Sequence, residues 1–158
     1  MDKCAHQFMQ VAIELSRKGI TAEKGGPFGA VVVKDGEIVG RGYNRVAAAN
    51  DPTAHAEIMA IREACKRLGT FQLTGCEIYT SCEPCPMCLG AIYWARPERV
   101  YFANTREDAA AISFDDSFIY GEIRKPLAER KIEMIQMDRE EAQKVFKQWA
   151  AKTNKIVY

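Results

Sequence analysis

Residues 28–34, Phe-Gly-Ala-Val-Val-Val-Lys, and 37–44, Glu-Ile-Val-Gly-Arg-Gly-Tyr-Asn, are two β-rich runs with only Asp35-Gly36 between them. An Asp-Gly pair in that position is a two-residue hairpin signal, so the chain is committed early to an antiparallel strand pair. Before it, Ala5, Phe8, Met9, Ala12 and Leu15 recur at helical spacing up to the Gly19 stop. After it, the pattern alternates. Asp51-Pro52 reads as a cap with a first-turn proline, and Ala54, Ile58, Ile61, Cys65 and Leu68 share one face of a helix ending at Gly69. A strand is predicted near 73–81, a helix from Pro84 through Trp94, and strands at 99–104 and 132–137. The last helix, over 138–151, is expected to bury Ala142, Val145, Phe146 and Trp149. Crossover helices make the later strands parallel and cover the sheet faces, so the expected fold is a three-layer α/β/α sandwich on a five-stranded mixed sheet. Residues 105–131, with Asp115 and Asp116 among Phe114, Phe118 and Tyr120, are harder to place, and loops of that kind often carry function.

With 158 residues the chain is expected to form one domain, 1–158, around one core. Its 47% hydrophobic and 27% charged residues exclude disordered, collagen-like and disulfide-scaffold classes. Lys and Arg number 22 against 21 Asp and Glu, a net charge of +1, which disfavours a nucleic-acid or anionic-membrane partner. The amino terminus, Met1-Asp2-Lys3-Cys4, is polar where a secretory signal is apolar, and no run approaches a membrane span; the expected location is cytoplasmic. Cysteines there stay reduced, so the cluster Cys82, Cys85 and Cys88 argues for metal or redox chemistry.

His55-Ala56-Glu57 opens one predicted helix and Pro84-Cys85-Pro86-Met87-Cys88 the next. Cys85 and Cys88, three apart in a first helical turn, project from one face, and the positive end of the helix dipole favours their thiolates. With neutral His55 they make a Cys₂His set whose two charges balance Zn²⁺ and leave a fourth position for water, the pattern of catalytic zinc. The rival is an iron–sulfur cluster, because Cys82-x-x-Cys85-x-x-Cys88 repeats a ferredoxin spacing, but the fourth cysteine followed by proline is missing. Cys82 reads as a packed thiol, the alternative being a fourth ligand that closes the site. Glu57 is either a helix-dipole partner or, two positions after a ligand, a proton shuttle; the second requires an irregular helix entrance, since residues two apart do not face each other.

The H-x-E and P-C-x-x-C pair is the signature of zinc deaminases, and the chain resembles the cytidine deaminase superfamily. Over nearly its whole length it is similar to the small bacterial guanine deaminases, through Gly25-Gly26-Pro27-Phe28-Gly29-Ala30, Gly42-Tyr43-Asn44, Phe114-Asp115-Asp116-Ser117-Phe118-Ile119-Tyr120 and the tail ending at Tyr158. That resemblance implies hydrolysis of free guanine at C2 to xanthine and ammonia, one Zn²⁺ per chain on His55, Cys85 and Cys88, and Glu57 as the catalytic proton shuttle. It also implies substrate contacts from Phe28, Asn44, Ala56, Trp94, Asp116 and Tyr158, and a homodimer in which one chain's tail closes the other's site.

The residues leave other roles open. Phe28 and Trp94 suit a planar purine or the core; Asn44 matches a base edge or a strand-end turn; Asp116 accepts from guanine N–H groups or caps the next turn. The same zinc motifs serve transfer-RNA adenosine deaminases, which attack a flipped adenine, and related small-molecule nucleobase deaminases. A transfer-RNA substrate needs basic residues tracking phosphate, yet Arg139, Lys144, Lys147, Lys152 and Lys155 lie near Glu140 and Glu141. A non-catalytic zinc-stabilised interaction domain would fill all four metal positions and leave Glu57 unexplained.

Overall fold

The Asp35-Gly36 hairpin forms as read. In the computed structural model, which describes residues 3–158 and side chains from Ala5 onward, both hairpin residues have positive φ, 50° and 79°, as a turn matched to strand twist requires. It joins β1 (Gly29–Lys34) to β2 (Glu37–Tyr43); α1 (Lys3–Thr21) precedes them, and α2 (Val46–Ala49), α3 (Ala56–Leu68), β3 (Cys76–Cys82), α4 (Pro86–Ala95), β4 (Arg99–Asn104) and α5 (Arg106–Ala111) follow. The strands lie in the order β2-β1-β3-β4. β1 is antiparallel to both β2 and β3, and β3 is parallel to β4, with Ala30 opposite Thr80 and Ile78 opposite Val100.

Strand alternation divides the core between the two faces. Ala30, Val32 and Ile78 point to the side covered by Ala56, Ala60 and Ala64 of α3 and Ile92 of α4. Val31, Val33 and Tyr79 point to the other side, where Phe8, Ala12 and Leu15 of α1 close a second cluster. This is the three-layer α/β/α arrangement. Helix α3 approaches the sheet closely because β2 carries glycine where the helix crosses it: a Cβ on Gly42 would fall 2.1 Å from the Ala56 carbonyl oxygen, and one on Gly40 would fall 2.3 Å from that of Ala60.

The chain divides into two units, Met1–Asp116 and Ser117–Tyr158. The second contains α6 (Ser117–Arg124), a 3₁₀ turn (Leu127–Glu129) and α7 (Arg139–Ala151). Within it the Glu122 carboxylate accepts from the Lys131 backbone N–H, and the Arg130 guanidinium donates to the Ile123 carbonyl.

Four expectations are corrected. The sheet has four strands, not five: residues 132–137 are irregular, and Ile132, Ile135 and Met137 are exposed. Their apolar pattern reads as a strand, but a strand forms only where a neighbour completes its ladder. Asp51-Pro52 does not cap α3, because Asp51 Oδ1 accepts from both the Thr53 N–H (2.8 Å) and hydroxyl (2.7 Å), a local turn that delays the helix to Ala56. The helix expected at Pro84 starts at Pro86, with Cys85 as its cap. Finally, Ala142, Val145, Phe146 and Trp149 of α7 are exposed, Phe146 by 77%. Helical periodicity identifies an apolar face but not what covers it.

Candidate metal centre and active site

Strands β2 and β3 are both antiparallel to β1 and so run the same way; α3 links β2 to β3, and α4 links β3 to β4. Both helices therefore begin beyond the carboxyl ends of parallel strands, the place where open α/β sheets hold ligands. His55 caps α3 and Cys85 caps α4, each with extended backbone (ψ 158° and 168°), and Cys88 follows in the first turn of α4. His55 Nδ1 lies 3.5 Å from Cys85 Sγ and 3.5 Å from Cys88 Sγ.

The three donor atoms lie within 4.8 Å of one another, the group among the described residues that could hold a metal ion. Tetrahedral zinc, with Zn–S of about 2.3 Å and Zn–N of about 2.0–2.1 Å, places N and S about 3.5 Å apart, so spacing and donor type both fit. Charge fits too. The hydrogen bond from Cys88, with a further contribution from His55, brings the Cys85 thiol down to about 4, while that bond and burial push the Cys88 thiol up. Hydrogen bonding to Cys85 raises His55. Cys85 is thus the thiol that ionises most readily, as a metal ligand must. Cys82 stands apart, packed at the end of β3 with Sγ 3.5 Å from the Thr105 carbonyl and its thiol pushed up to about 11 by burial.

Glu57 is 6% exposed, and burial raises its carboxyl above the usual range. Its two oxygens have separate partners: Oε1 accepts from the Thr80 hydroxyl at 3.2 Å, and Oε2 from Cys88 Sγ at 3.4 Å. The required irregular helix entrance is present, since His55 is the extended cap whereas Ala56 and Glu57 already belong to the first turn of α3. Thr80, 1% exposed on β3, is the site residue the sequence reading missed. The available signal was the polar pair Thr80-Ser81 just before Cys82 in β3.

Asn44 is buried, and its Oδ1 accepts from the backbone N–H groups of Gly26 and Val46, both at 3.2 Å. Its amide oxygen is thus committed to the loop, leaving its NH₂ as the group suited to a ligand. Gly25 is required beside it, because a Cβ there would fall 2.1 Å from Oδ1. Phe28 meets Phe114 edge-on, with ring centroids 4.9 Å apart. Ala56 is fully buried between His55 and Glu57. Asp116 is half-buried, and its carboxyl is raised first by burial and then by the charge of Cys85. Trp94 shares α4 with Cys88 but is 65% exposed, and Tyr158, in the second unit, is exposed.

Residues 2–104 match the cytidine and deoxycytidylate deaminase zinc-binding region. The chain belongs to that family. Among its relatives, guanine deaminase of Bacillus subtilis is 56% identical over 151 residues, covering 96% of this chain and 97% of the relative. The X-ray structure of guanine deaminase from Bacillus subtilis superposes with a TM-score of 0.95 at 54% identity, covering 100% of this chain and 99% of that one. The transfer-RNA-specific adenosine deaminase of Aquifex aeolicus is 47% identical over 97 residues, covering 61% of this chain and 63% of the relative. In this family, then, the likeness to a guanine deaminase extends well past residue 104, whereas that to the adenosine deaminase covers a shorter stretch.

Proposed function

We propose that this protein is a zinc-dependent guanine deaminase, hydrolysing guanine to xanthine and ammonia. The observation that carries the reading is the near full-length match to a guanine deaminase, built around a His55, Cys85 and Cys88 group of zinc-binding geometry. Bound there, zinc supplies the Lewis acidity that makes water nucleophilic at neutral pH. The remaining chemistry belongs to side chains. Thr80 holds Oε1 of Glu57, and Oε2 takes one proton from the attacking water and delivers it to the ring nitrogen, then carries the second, from the hydroxyl added at C2, to the amine, which leaves as ammonia because it cannot leave as an amide anion. Burial supports this role by keeping the carboxyl's proton affinity high. Asn44 donates through its NH₂ to the purine edge; Phe28 and Trp94 contact the ring, Ala56 borders it, and Asp116 accepts from guanine N–H groups.

Residues 1–158 work as one cytoplasmic deaminase domain, and two copies form a homodimer whose tails, ending at Tyr158, close each other's sites. Supporting this are the apolar side chains exposed in the second unit, including Val145, Phe146, Ile156 and Val157. No helix among the described residues is long and apolar enough to cross a membrane.

The test is ammonia release by the purified zinc protein from guanine, adenine, cytosine and cytidine, with inosine formation in transfer RNA measured alongside. Guanine turnover far above the other substrates is expected. Inosine formation without guanine turnover would replace the proposal with the adenosine deaminase reading.

A further inference from the structure

Cations gather along the outer edge of the sheet. A cavity of about 400 Å³ lies between α1 and α3 beside the edge strand β2, and Lys18, Arg41, Arg45, Arg62 and Lys66 line it against a single carboxylate, Glu63. A second cavity of about 590 Å³ adjoins it, sharing Leu15, Lys18 and Arg41. In a chain of net charge +1 this is a local concentration.

Those cations are poorly neutralised. Glu63 is engaged elsewhere, its Oε2 accepting the Arg41 backbone N–H at 3.2 Å and so capping the open strand edge. Arg62 reaches Asp51 only at 3.9 Å, and Lys18 Nζ lies 5.9 Å from the Tyr43 ring centroid. Arg41, Arg45 and Lys66 form no side-chain ion pair among the described residues. Convergence of like charges on a concavity opposes folding and focuses a positive field there, which an anionic occupant would relieve. A solvated basic face needs no cavity and no apolar floor, whereas Leu15, Tyr43 and Met59 provide one here.

We propose that this groove binds a nucleoside polyphosphate, with the base on the Leu15, Tyr43 and Met59 floor and the phosphates among Arg41, Arg45 and Lys66. Two features select that class. Apolar floor and basic wall together ask for a ligand with an aromatic body and several negative charges. The volume falls in the range of small-ligand pockets, about 300–1,000 Å³, rather than forming the extended basic track that follows a nucleic-acid backbone.

Titration calorimetry on the full-length zinc protein tests this with ATP and GTP, inorganic triphosphate, and a single-stranded RNA 12-mer as separate titrants. Expected is one nucleotide per chain with Kd below about 1 mM, weaker binding of inorganic triphosphate, and at least about tenfold loss of nucleotide affinity in Arg41→Glu/Lys66→Glu. Arg45→Gln, which removes charge without reversing it, should give a smaller loss while its thermal melt matches wild type. Absence of nucleotide binding at about 1 mM, or binding unaltered in the double variant, would overturn the proposal. Triphosphate binding as tight as that of the nucleotides would overturn the role of the floor, and RNA binding tighter than nucleotide would assign the groove to RNA instead.

Discussion

Replacing Gly42 by alanine tests whether the α3–β2 contact sets the active site. The new Cβ would lie 2.1 Å from the Ala56 carbonyl oxygen and 2.6 Å from the Ala60 nitrogen. An ordinary C···O contact is about 3.3 Å or longer, so the first turn of α3 must retreat by roughly 1.2 Å. Both neighbours are helix backbone, so no rotamer change relieves the clash, and overpacking of this kind costs about 1–3 kcal/mol. For a chain of this size that lowers Tm by roughly 2–12 °C. The displaced turn begins at Ala56, between His55 and Glu57, and a misplacement near 1 Å costs about 10²-fold in rate. Gly40→Ala separates the two effects: its Cβ would meet the Ala60 carbonyl at 2.3 Å, one turn farther from the site, so a similar Tm loss should accompany a smaller rate loss. Gly90→Ala is the control, with nothing within 4 Å of its Cβ and an expected helix gain of about 0.5–1 kcal/mol. Calorimetry, zinc content and guanine turnover are measured on all three. Gly42→Ala with wild-type Tm and rate would refute the argument that glycine packing positions His55 and Glu57.

Thr80→Val should keep zinc yet lower kcat by roughly tenfold, with Thr80→Ser restoring it, because the hydroxyl on Glu57 Oε1 is the relevant group; equal rates in the two variants would remove Thr80 from the site. Cys82→Ala should retain one zinc by elemental analysis, whereas His55→Ala, Cys85→Ala and Cys88→Ala should lose it. Deleting residues 155–158 should spare zinc and folding but lower guanine turnover. Mixing that deletion with full-length Glu57→Gln protein should restore part of the activity through hybrid dimers, and no recovery despite subunit exchange would show that each tail serves its own chain.

What the sequence reveals about the site follows from how local each constraint is. Cys85 and Cys88 are set by spacing within one helical turn, and His55-Ala56-Glu57 by a single helix start, so all four candidate positions are legible before folding. Thr80 is not, because its hydroxyl meets Glu57 only once β3 lies under α3, 23 positions away in sequence. Gly40 and Gly42 read as unremarkable hairpin glycines until the Ala56, Ala60 and Ala64 stripe is laid across them. At the other end, α7 shows the opposite failure. Its apolar period is clear, but periodicity carries no information about the surface that meets it, and within this chain Val145, Phe146 and Trp149 stay exposed. Residues 132–137 fail for a related reason, since a strand is a property of a pair and the sequence supplies one member.

The most direct measurement of the central claim follows guanine conversion to xanthine in wild-type and Glu57→Gln proteins verified to carry equal zinc. That change keeps the shape of the side chain and, through its NH₂, a hydrogen-bond donor, but removes the proton acceptor. One zinc per chain is expected in both, with a kcat at least about 10²-fold lower in the variant; comparable turnover would contradict a mechanism in which Glu57 carries the proton.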